Sequence, residues 1–233
     1  MVIKESAFAM MVTAMVVLIS GCGGGGDSGS ATVSTMSFPA QAAYRARVAA
    51  GSTDNFTVSG TCAGTATYTD GVATASTFEG VTGFAASTTV SINLTNCTPA
   101  TSAVSGTSYY DSNYSPLGDS IPGVEYAKFV TAPPPLPTTV KVGDTAVYAT
   151  FALYTDSTKA TTTGQEVLSY VVEADTATTA VVNLISKEYN TSNQLLSTQQ
   201  SRYRIAADGT LTTLSIDVQL STTSTTHIVL TKS

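Results

Sequence analysis

From Asn55 onward, apolar and polar side chains alternate with the two-residue period of strands half sunk in a core. Phe56, Val58 and Gly60 interleave with Thr57, Ser59 and Thr61, and Val90, Ile92 and Leu94 with Ser91, Asn93 and Thr95. Further strands are predicted over 146–155, 167–174, 179–189, 195–205, 211–220 and 226–231, with short polar turns between them. Asp70-Gly71 reads as a two-residue hairpin turn and Asp208-Gly209 as another hairpin, because both residue types tolerate positive φ. Ala180 to Ile185 is apolar on nearly every position, which places that strand centrally. In the next-to-last strand, Leu211, Thr213, Ser215, Asp217 and Gln219 oppose Leu214, Ile216, Val218 and Leu220, one wet face against one buried face. Residues 31–52 fit two patterns. Pro39 ahead of an alanine-rich run ending at Gly51 suits a short helix. Tyr44, Ala46 and Val48 against Arg45 and Arg47 suit a strand, and the balance leans that way.

Consecutive strands joined by short turns make an all-β fold, an antiparallel meander forming a sandwich or a partly open barrel. Composition agrees: threonine and valine are abundant, and β-branched residues favour strands. Only 11% of residues are charged and the net charge is −6, so the basic patch that a nucleic-acid partner requires is missing. Proline removes ladder donors and stiffens the chain, so residues 132–137 (Ala-Pro-Pro-Pro-Leu-Pro) are a connector or an edge cover.

The N-terminus supplies a compartment. An apolar run from Ser6 to Ile19 follows Lys4 and falls short of the roughly 20 residues of a bilayer span, which suits a secretory signal. It closes on Leu18-Ile19-Ser20-Gly21-Cys22, which resembles the lipobox of bacterial lipoproteins. The resemblance implies cleavage before Cys22 and diacylglycerol and acyl chains on that cysteine, a combination that anchors stably where one chain does not. It also implies a cell-envelope location, and Gly23, where aspartate would favour inner-membrane retention, points to the outer membrane, facing periplasm or surface. Phrases such as Val58-Ser59-Gly60-Thr61-Cys62 and Tyr109-Tyr110-Asp111-Ser112-Asn113-Tyr114 are similar to envelope lipoproteins of Gram-negative bacteria without an assigned activity. With Cys22 assigned to lipid, Cys62 and Cys97 remain as a pair, and an oxidising compartment makes a disulfide the expectation. The predicted organisation is a signal peptide (1–21), a Gly/Ser-rich tether and lead-in (22–43), and a smaller disulfide-tied β module (44–131). The connector (132–137) and a C-terminal antiparallel domain (138–233) complete it.

Candidate chemistry is sparse. Gly60-Thr61-Cys62-Ala63-Gly64 has the lettering of a nucleophile elbow, but strand rather than helix follows it, and His227 is the sole histidine. Two thiols without a nearby histidine fall short of a zinc set. No catalytic residue, metal or cofactor beyond the acyl chains is therefore expected. Tyr109, Tyr110, Asp111, Asn113 and Tyr114, read as a turn-rich loop, are the candidate ligand contacts. The expectation is a non-enzymatic binding or structural module held to the membrane by lipid, its protein or glycan ligand unspecified. One alternative is a hydrolase of envelope polysaccharide drawing on Asp111, Asp119 and Glu125. The other is an adhesin or appendage component with an open edge strand near His227.

Overall fold

A computed structural model describes residues 33–221 and 226–233, so Cys22 and the tether lie outside the described residues. Among the described residues one helix, α1 (Ala40–Ala50), precedes β1 (Ser52–Gly60), β2 (Gly64–Asp70), β3 (Thr74–Phe78), β4 (Val81–Leu94) and β5 (Thr101–Asp111). Then come β6 (Pro116–Ile121), β7 (Glu125–Phe129), β8 (Thr145–Tyr154), β9 (Thr162–Ala174) and β10 (Thr179–Asn190). β11 (Leu195–Ala206), β12 (Leu211–Leu220) and β13 (His227–Lys232) complete the chain. The fold is all-β, and twelve strands close into an antiparallel barrel, with β3 as the extra strand. Two seams close it. β1 pairs with β13, Phe56 opposite Lys232, and β2 pairs with β4, Ala66 opposite Ile92.

The sheet runs unbroken past residues 132–137, because β7 pairs with β8 across the proline segment. That segment lies beside α1. Its prolines have no N–H to pair, and its carbonyls accept from Gln41 Nε2 (to Leu136 O, 3.2 Å) and Tyr148 Oη (to Pro134 O, 2.7 Å). Phe38, fully buried, exchanges two backbone hydrogen bonds with Val140 and fixes where the helix starts.

Three sequence expectations change. Residues 40–50 form a helix, not a strand: alanine favours it, and the face Ala43, Tyr44, Arg47 and Val48 has helical spacing and turns inward. Gly51, at φ 69°, ends it where a Cβ would lie 2.6 Å from Asp70 O. Asp70-Gly71 does not make a hairpin. β2 and β3 lie end to end along β4, and Gly71 N–H keeps the chain in line by donating to Ser87 O. The two-residue turn is instead Glu79-Gly80, both at positive φ, between Phe78 and Val81. Thirdly, the C-terminal strand is no edge, since β13 lies between β12 and β1.

At the rim away from α1, the Cys62–Cys97 disulfide ties the β1–β2 turn to the β4–β5 turn. Inside it, Phe56, Val58, Val90, Ile92 and Leu230 form an apolar wedge against one side of the barrel.

Candidate functional site

The remaining lumen is neither filled nor apolar. A cavity of about 180 Å³ is lined from nine of the twelve staves and from α1, a spread only the barrel interior provides. Alternation explains the lining: the even residues of β10 and the odd residues of β11 turn inward, bringing in Leu184, Ser186, Gln199, Ser201 and Tyr203. A second, apolar cavity of about 70 Å³ lies against the helix and shares Tyr44, Leu168, Leu184 and Tyr203 with the first.

The helix mouth is aromatic and charge-balanced. Tyr44 meets Tyr110 edge-on at 6.5 Å, and burial raises the pKa of both hydroxyls, so they stay protonated. Arg47 lies 5.3 Å above the Tyr203 ring and donates to Asp54 Oδ2 at 2.8 Å. Asp54 also accepts from Thr213 (2.6 Å) and Lys232. Burial works against its charge, yet those bonds prevail and hold its carboxyl below the usual range. Asp70, taking Thr88 Oγ1–H at 3.0 Å, is pushed up by burial.

Deeper lies a set of carboxyls with no such balance. Asp119, Glu125, Glu166 and Glu188 stand on β6, β7, β9 and β10, and Glu166 and Glu188 are direct cross-strand partners. No ion pair among the described residues involves any of the four. Burial raises all four, and the Asp119, Glu166 and Glu188 charges add to it at Glu125; Glu166 reaches about 8. Glu166 is 1% exposed; Ser186 donates to its Oε1 while Oε2 has no partner. Asp119 Oδ1 is likewise unpartnered, and so is Gln199 Oε1, whose amide nitrogen donates to Ser201 Oγ at 3.1 Å. These three oxygens belong to residues of one cavity wall. Their chemistry is that of an acceptor set awaiting donors.

The tyrosine-rich segment is not one loop. Tyr109 and Tyr110 are strand residues of β5 and point to opposite faces. Tyr109 stacks on Phe78 at 4.2 Å in an outer-wall cluster with Leu117 and Tyr126, whereas Tyr110 lines the lumen. Asp111 Oδ1 accepts the N–H groups of Asn113 and Ser115, each at 2.8 Å, and shapes a tight turn. Tyr114, at φ 65°, is buried against Phe84 at 4.5 Å with Arg45 over its ring. Of the candidate contacts, Tyr109 and Tyr110 border the cavity, and Asp111, Asn113 and Tyr114 do not.

Of the three carboxylates weighed for hydrolysis, Asp119 and Glu125 come together and Asp111 does not. Glu166 and Glu188 escaped notice because each reads locally as an ordinary polar strand residue. Cys62 is disulfide-bonded, and His227 pairs with Asp217 at 2.9 Å, half-exposed on the outer wall. The described residues contain no cluster of three or more His, Cys, Asp or Glu able to hold a metal ion. Comparison with family models, curated proteins and solved structures returns no match.

Proposed function

We propose that the chain is a lipid-anchored envelope lipoprotein whose barrel is a non-enzymatic binding module, holding a small ligand in the lumen beneath α1. One observation carries this reading: Asp119 Oδ1, Glu166 Oε2 and Gln199 Oε1 are buried without partners around one cavity. Each such group costs about 1–3 kcal/mol while it stays unpaired, so a ligand supplying donors stabilises the protein as it binds. The anchor rests on Leu18 to Cys22, and the outer-membrane placement on Gly23. The outer wall supports attachment through lipid rather than through the staves. Thr53, Asn55 and Thr57 of β1 and Arg202 and Arg204 of β11 face outward, where a membrane-spanning barrel carries an apolar band.

The hydrolase reading is weaker, because a lumen of about 180 Å³ is below the roughly 300 Å³ at which drug-sized ligand pockets begin, and a polysaccharide needs more. The assembly reading is weaker too. The free edge is that of β3, a strand of 5 residues, and short edges resist pairing.

The test has two arms on natively expressed protein. Intact mass with membrane fractionation is expected to show acyl mass and outer-membrane sedimentation, both lost in Cys22→Ala. Wild type that stays soluble and unmodified overturns the anchor. Native mass spectrometry of the mildly extracted protein is expected to reveal a bound small molecule, absent once the barrel is unfolded. A ligand-free spectrum, unchanged after addition of periplasmic extract, overturns the binding reading.

A further inference from the structure

Resting on the lumen as the ligand site, we infer that its occupant is a small organic cation, an alkylammonium seated between Asp119, Glu166 and Gln199 with its stem toward the tyrosines. Three unpartnered acceptor oxygens line one cavity, and two of them belong to carboxyls. Gln199, 7% exposed, is the independent indication, because an amide carbonyl left bare has no charge of its own to explain its place. An ammonium group carries three N–H donors and one positive charge, which matches three oxygens and favours the charged form of the two carboxyls among them.

Like charges directly opposite on paired strands destabilise a sheet, and Glu166 faces Glu188. A fold that retains this pairing gains from a cation between the two strands and their neighbours. An inorganic ion fits less well, since no three carboxyls converge as ligands among the described residues. The rest of the cavity suits a carbon stem: Tyr68, Tyr110 and Tyr203 line it, and ring faces attract cations and pack on methylenes. About 180 Å³ holds roughly six water-sized groups at about 30 Å³ each, the size of a four-carbon amine.

The experiment is calorimetric titration of the full-length acylated protein in detergent with n-butylammonium, n-butanol and butyrate, three probes of one shape and different charge. The expected result is saturable one-to-one binding of the amine, at least tenfold weaker for the alcohol and undetectable for butyrate. Glu166→Gln and Asp119→Asn each lower amine affinity at least tenfold, with barrel circular dichroism unchanged. Should the alcohol or butyrate bind as well as the amine, with both variants altering that binding, the cation inference falls and the lumen reading stands. Amine binding that survives both substitutions places the site elsewhere and overturns the inference. If none of the probes binds, the inference also falls, and the co-purified ligand in the native spectrum decides the lumen reading separately.

Discussion

At Glu166, burial and a facing carboxyl act in the same direction. Its side chain is 1% exposed, Glu188 stands opposite on the next strand, and its carboxyl titrates at about 8 against an ordinary 4.5. Between those values the folded protein binds a proton that the unfolded chain has released, so stability falls as pH rises. The contribution is whole below pH 4.5 and is lost as pH climbs through about 8. Replacing Glu166 with glutamine keeps an acceptor for Ser186 and removes the titration. Glu166→Gln is expected to melt above the parent at pH 8 and to show a shallower decline from pH 4.5 to 8. Thermal unfolding followed by circular dichroism across that range checks it. Asp119, Glu125 and Glu188 are shifted the same way and leave a residual slope. An identical slope in parent and variant would assign the titration to those three.

At the scale of elements, α1 depends on the barrel for its existence, since 11 residues make a marginal helix alone in water. Its inward anchors are Tyr44, Arg47 and Val48, and Arg47 alone reaches both the Asp54 carboxylate and the Tyr203 ring. Arg47→Ala leaves Asp54 held by Lys232 and Thr213, so the barrel persists while the helix loosens. A loss of about 1–3 kcal/mol is expected, in line with a hydrogen bond to a charged group. Amide exchange in 40–50 rises at least tenfold while β10 amides keep their protection; equal loosening of both would show that the helix is integral to the staves. The β3–β4 hairpin is pinned differently. Glu79 meets Lys159 at 2.6 Å, Lys128 at 2.9 Å and Tyr126 Oη at 2.7 Å. The Lys159 bond, against burial and with help from Tyr126 and Lys128, lowers its carboxyl to about 2. Glu79→Gln is expected to lower stability at pH 7 by about 1 kcal/mol, a difference that shrinks as pH falls through 4.5 toward 2. Chemical denaturation at pH 7 and pH 2 measures it.

The same elements mark where sequence reading succeeds and stops. Strands of period two were legible because one face is wet and one buried, as in Phe56 and Val58 against Thr57 and Ser59. In β12 a bulge skips Leu214, so Leu211 and Thr213 turn inward together with Ile216 and Val218, a parity change that periodicity cannot register. The helix was obscured by Arg47, a charge on its inward face, which only the partner Asp54 explains. The acidic lumen was invisible for a related reason: its four carboxyls stand on four strands and meet only after closure. The disulfide was legible, because the two cysteines left once Cys22 is set aside allow one pairing.

For the whole molecule, closure makes distant chain segments depend on one another. The β1–β13 seam joins the two ends of the described chain, the β2–β4 seam closes the ring past β3, and β7–β8 carries the sheet across the proline segment. Breaking any seam opens two edges and exposes the lumen carboxyls to water, so partial unfolding has little to recommend it. Unfolding is therefore expected as one transition, coincident by far-ultraviolet circular dichroism and by tyrosine fluorescence, which reports tertiary packing in a chain without tryptophan. The Cys62–Cys97 bridge, spanning 35 positions, restrains the unfolded chain rather than the barrel. Its removal in Cys62→Ser/Cys97→Ser should lower stability by about 3–4 kcal/mol on the chain-entropy relation, lowering the denaturation midpoint and steepening the slope as the freed unfolded chain exposes more surface. Both probes should still coincide in that variant. Were the dichroic signal to split into two steps instead, the segment at 132–137 would mark a real boundary between cooperative units. The lumen between them would then be a site assembled by docking rather than by the closing of a single sheet.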